Sequence, residues 1–244
     1  IKLTSGESSK TSSGKIELVT ADGADATPAP TPGGVSGLIM MSTGKATAGN
    51  SGAILIASGE AASNGGAIQI TSGDATVSSG AISITGGTGS GGAGGDLTLS
   101  AGNVDTVSGA TDKGGDVSIR SGTSEKTSSG DLTIGSPNAG DVASSISGAI
   151  TLSTGEGGST SGNSGGITLS TGLSSSNAGG ITLTVGSSSG DGGAVSINGG
   201  VSTGGVGGNV ALVGGQATST GNKNGGDIKL TSGESSKTSS GKIE

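Results

Sequence analysis

Aliphatic side chains in this chain come in pairs two residues apart, with a single residue between them and glycines on either side. The stretches SGAILIASG, GGAIQITSG, SGAISITGG, GGDLTLSAG, GGDVSIRSG and SGAITLSTG share one grammar. Each reads small, Gly, any residue, aliphatic, any, aliphatic, any, small, Gly. The leading aliphatic recurs at sixteen places from Ile1 to Ile243, mostly 14 or 15 residues apart. Longer gaps follow Ile16, Leu97, Leu132, Ile150 and Val210. A disordered chain has no reason to hold such a register.

Period-two alternation bounded by glycines predicts a half-buried β-strand in every repeat. One strand per 14–15 residues down a whole chain predicts an all-β fold, a parallel β-solenoid (β-helix) rod of about 15–16 rungs without helix. The density of Gly, Ser and Thr, and the wrong period, speak against helix. The inward-facing core would be Ile54, Ile56, Ile68, Ile70, Ile82, Ile84, Leu97, Leu99, Ile150, Leu152, Ile167 and Leu169, with Gln69 facing out. Gly52, Gly66, Gly80, Gly95, Gly115, Gly148 and Gly165 stand two residues before a leading aliphatic. They are expected at tight corners, where glycine reaches positive φ without steric cost. At about 4.8 Å per rung the strands would stack into a rod of roughly 70–75 Å. One repeat per coil is favoured, because seven such coils return equivalent loops to one face; two repeats per coil is the alternative.

A second order of repetition lies above the rung. SGESSKTSSG after Leu3 matches SGTSEKTSSG after Ile119, and the rungs that follow stay in step. The second rung of each set carries a long Pro-containing loop, and Ala21 and Pro137 stand there in place of the usual corner Gly. The organisation is therefore a seven-rung module over 1–116, a second over 117–227, and the start of a third over 228–244. That last stretch, IKLTSGESSKTSSGKIE, is identical to residues 1–17. A window from a longer tandem array with a 227-residue period is the economical expectation; an engineered duplication is the alternative. The absence of any capping segment at either end would leave strand edges open for end-to-end stacking.

Composition narrows the chemistry. The 244 residues include 56 Gly but no Phe, Trp, Tyr, Cys or His. Disulfides, Cys or His metal sites and imidazole-based catalysis are thereby excluded. A net charge of −7 and a pI near 4.5 argue against nucleic acid as a partner. No apolar run has the length of a membrane span.

Few motifs compete with a structural role. GTGSGG at Gly87–Gly92 fits G-x-G-x-x-G, but in a chain this rich in Gly the match carries little, and no helix follows it. SSGKIE lacks the Ser or Thr that a phosphate-binding loop places after Lys. Asp96, Asp116 and Asp131 hold equivalent positions on consecutive rungs, repeated at Asp227. Stacked, they would repel, and either solvent with Arg120, Lys113 and Lys126 or a bridging calcium would relieve them. GGAGGDLTL approaches the calcium-binding nonapeptide, with its Asp one residue out of register. Calcium is the one cofactor the sequence admits. Outward Ser/Thr pairs such as Thr98 and Ser100 or Thr182 and Thr184 resemble the rows of ice-binding solenoids, but Lys2, Glu17, Met40, Gln69 and Arg120 interrupt them. TPAPTP marks an extended loop on which Thr27 and Thr31 are candidates for O-glycans. Polysaccharide-cleaving chemistry needs convergent acids and aromatic platforms, and neither is evident.

The rung GG-x-[ILV]-x-[ILV]-x-x-G, with Ser/Thr/Gly-rich loops in seven-rung modules, resembles long repetitive surface proteins of microalgae and bacterial filamentous adhesins. The likeness spans the chain and transfers no functional residue. It implies a non-enzymatic structural protein, extracellular or at the cell surface, forming or extending a filament. Its expected partner is itself, end to end and in lateral bundles. An ice-binding or carbohydrate-binding adhesin is the alternative.

Overall fold

The computed structural model describes residues 1–10, 12–23, 34–104, 113–158, 162–218, 221 and 223–244. The described residues fall into two units, Ile1–Ile119 and Arg120–Glu244. Neither contains a helix or a strand among those residues. This overturns the expectation of an all-β parallel β-solenoid, or β-helix. A ladder of rungs would show backbone hydrogen bonds from one aliphatic segment to the next, and none joins them among the described residues.

Side-chain exposure agrees with the backbone. Ile54, Ile56, Ile68, Ile70, Ile82, Ile84, Leu97, Leu99, Ile150, Leu152, Ile167 and Leu169, expected inside, are all exposed, and no described hydrophobic side chain is buried. The chain's accessible surface is 23706 Å². A folded monomer of this mass would show about 9,400 Å² and a fully extended chain about 32,000 Å². Two aliphatics in every fourteen or fifteen residues offer too little apolar area to offset the ordering of the glycines and serines between them.

Eight of the repeats nevertheless share a structural mark. In Ile1–Ile119 the amides of Gly14, Gly80, Gly95 and Gly115 donate to the carbonyls of Gly6, Gly73, Gly87 and Gly102, at 3.2, 3.3, 2.8 and 2.9 Å. In Arg120–Glu244 the donors are Gly130, Gly208, Gly226 and Gly241 and the acceptors Gly122, Gly200, Gly215 and Gly233, at 2.8–2.9 Å. Each bond ties the Gly ending one aliphatic segment to the Gly opening the next, and so closes the intervening loop at a neck. The aliphatic segments run between successive necks.

Close approach accounts for some of the corner glycines and not for others. No described glycine has positive φ; Ser144, at φ 68, is the non-glycine that does. Side chains added at Gly52, Gly66, Gly80 and Gly148 would lie 3.4–3.5 Å from the Thr43, Ser58, Ser72 and Ser136 side chains across the neck. At Gly115 the Cβ would meet Ala101 Cβ at 3.2 Å, and at Gly95 it would meet the Gly87 amide nitrogen at the same distance. Gly165 has more room, with Thr154 Cγ2 at 3.6 Å. Where both sides of a neck are glycine the chains draw closer still. A Cβ on Gly86, Gly199 or Gly214 would run into the carbonyl oxygen of Gly95, Gly208 or Gly226.

The alternation read from the sequence survives in exposure even without a core. Along one segment Ile54 is 51 % exposed, Leu55 88 % and Ile56 64 %. Leu173, outside the pattern, stands freer at 107 %. The pairs form a half-shaded apolar stripe with nothing laid over it.

Candidate functional surface

Loops hang from the necks, and their polar side chains organise them locally. Ser124 Oγ accepts the Thr127 amide at 3.0 Å and lies 2.9 Å from Thr127 Oγ1. Ser235 and Thr238 repeat the arrangement at the same two distances. Both loops carry the Ser-x-Lys-Thr sequence that the module comparison aligns. Short hydroxyl-to-backbone turns of this kind recur: Ser174 accepts the Ser176 amide at 3.1 Å, Ser188 accepts Gly190 at 3.1 Å, and Ser202 accepts Gly205 at 2.9 Å. Serine favours these turns because its hydroxyl reaches a backbone amide two or three residues on.

One neck is closed by a side chain instead, and the sequence contained its signal. Ala21 occupies the position where other rungs carry the accepting Gly. There Thr20 Oγ1 donates to the Gly37 carbonyl at 3.2 Å, and the Thr20 methyl sits 3.1 Å from where a Gly37 Cβ would be. The residue before the trailing glycine is thus a neck residue throughout, as Ser5, Ser58, Ser121, Thr154, Thr171 and Ser232 also show. Sequence reasoning registered only that this position is small.

The acidic positions do not converge. Asp116 takes the Lys113 ammonium on both carboxylate oxygens, at 2.7 and 2.9 Å, with both side chains about three-quarters exposed. No group of three or more acidic side chains comes together among the described residues, Asp96 and Asp131 included. Lys15 of the SSGKIE stretch pairs with Glu17. Gly87 of the GTGSGG stretch is a neck residue, its carbonyl held by the Gly95 amide. Thr27 and Thr31 lie outside the described residues. No cavity forms among the described residues, and no described helix is long and apolar enough to cross a membrane.

Known protein families, curated proteins and solved structures yield no match to this chain. The functional surface is therefore defined by its own features: solvated aliphatic stripes, glycine necks, and closed polar loops.

Proposed function

We propose that this is a non-enzymatic structural protein of the cell exterior, in which covalent tandem repetition builds a fibre, stalk or coat. One observation carries the proposal. Residues 1–17 recur letter for letter at 228–244, solvated loop residues included, and the equivalent loops at Ser124 and Ser235 repeat the same hydrogen bonds. Repetition that extends to exposed positions suits a role in which every repeat does the same job at a different place along a length.

Composition supports this. A chain without aromatics, His or Cys is poor in groups that activate a substrate and well suited to staying solvated. Length in this reading comes from the number of covalently joined repeats rather than from coils stacked on one another. Immunogold electron microscopy of native material tests the proposal. Label in a regular array outside the cell is the expected result; label confined to the cell interior, unassociated with any fibre or coat, would overturn it.

A further inference from the structure

The aliphatic segments are left incomplete twice over. Their paired side chains are solvated, and their backbone amides and carbonyls bond to no other segment among the described residues. Both deficits fall on the residues with the strongest strand signal: β-branched or aliphatic, alternating, and free of Pro. An extended segment with open backbone groups and an apolar side is a template for another strand. Short segments of this type with low net charge pair readily between chains.

The missing strand is identified by period, charge and area. In Arg120–Glu244 the leading aliphatics Ile167, Ile181, Val195 and Val210 are separated by 14, 14 and 15 residues. A ligand that engages all four segments must carry the same spacing, and a second copy of this chain does. From 157 to 222 the only charged residue is Asp191, in a loop, so two copies laid together here do not repel. Each paired aliphatic in this unit is at least half exposed. With roughly 60–120 Å² of apolar surface per side chain, the fifteen of them leave about 500–1,000 Å² to cover. A stable interface takes about 800 Å² from each partner.

We infer that the aliphatic segments of Arg120–Glu244 pair, backbone and side chains together, with the same segments of a second copy of this chain. The strands foretold by the alternation then form between chains, whereas within one chain the segments stay unpaired. This deepens the structural role proposed above by naming the partner and the surface it meets, and it is tested independently of where the native protein resides.

The test is sedimentation velocity on the full purified chain over a hundredfold range of concentration, with infrared spectra at each point. The sedimentation coefficient and the amide I band of intermolecular sheet should rise together. Ile167→Asp, Ile181→Asp and Val195→Asp combined should raise the concentration needed for assembly at least tenfold; all three side chains are already solvated, so the single chain loses no core. Asp191→Asn, in a loop, should leave it unchanged within twofold. A chain that stays monomeric and free of sheet signal throughout would overturn the inference. So would a sheet signal independent of concentration, or a triple variant that assembles at the unsubstituted concentration.

Discussion

At the neck of Gly200 and Gly208 the place of a single methyl group matters. At Gly199 it would strike the Gly208 carbonyl oxygen, while at Gly200, one residue along, it meets nothing within 4 Å. Gly199→Ala should therefore displace the Gly208 amide from the Gly200 carbonyl, a bond of 2.8 Å. A backbone bond of this kind is worth about 0.5–1.5 kcal/mol, so hydrogen exchange at Gly208 should quicken by about 2- to 10-fold. Gly200→Ala should leave it within twofold; equal effects would dismiss close approach as the reason for glycine here. Thr20→Val is the complementary case, because it keeps the shape and removes the hydroxyl that serves the Gly37 carbonyl. A shift of the Gly37 carbonyl resonance, with the necks at Gly52 and Gly66 undisturbed, is the expected outcome. The Lys113–Asp116 pair has both partners largely in solvent, and pairs of that kind contribute little. Lys113→Gln should change no neighbouring exchange rate.

Among the elements, the loops are the best defined. Ser124→Ala removes the acceptor of the Thr127 amide and the partner of its hydroxyl, and Ser235→Ala does the same at Thr238. Each should quicken exchange at its own threonine amide several-fold and leave the other loop unaffected. These loops were legible as equivalents from SSKTSS and SEKTSS alone, because local hydroxyl-to-amide turns depend on neighbours in the chain. The neck positions were legible too, as the small residue and the glycines around each aliphatic pair. The corner role called for positive φ, which no described glycine has; a Cβ would be crowded at Gly95 and Gly115, but at Gly52, Gly66, Gly80, Gly148 and Gly165 it would meet only ordinary contacts. The strands were misjudged for another reason. Alternation at Ile68, Gln69 and Ile70 states which way each side chain would face in a sheet, yet it is silent on whether a neighbouring segment arrives to pair. That depends on apolar area summed over many residues, and a repeat with two aliphatics supplies little of it.

For the molecule as a whole, the absence of buried hydrophobic side chains among the described residues has a thermodynamic signature. Cooperative unfolding takes its enthalpy and heat capacity from surface that unfolding exposes, and here most of that surface is exposed from the start. Heated at concentrations too low for chains to pair, the protein should show a gradual change in its calorimetric and circular dichroism traces. A sharp endotherm under those conditions would mean a cooperative core that this structure lacks. Proteinase K, which cuts without regard to charge, should likewise degrade the separated chain without a protected fragment persisting.

The same neck closes over loops of very different size. Counting both ends, eight residues run from Gly73 to Gly80 and fourteen from Gly102 to Gly115, yet a single glycine-to-glycine bond joins the ends in both. Since the entropy of closing a loop grows only logarithmically with its length, each one can gain or lose several residues without disturbing the segments on either side. The loops are thus interchangeable cassettes on a fixed frame. A foreign epitope or a glycan acceptor sequence spliced between two neck glycines would be displayed at a chosen, regularly recurring station along the protein.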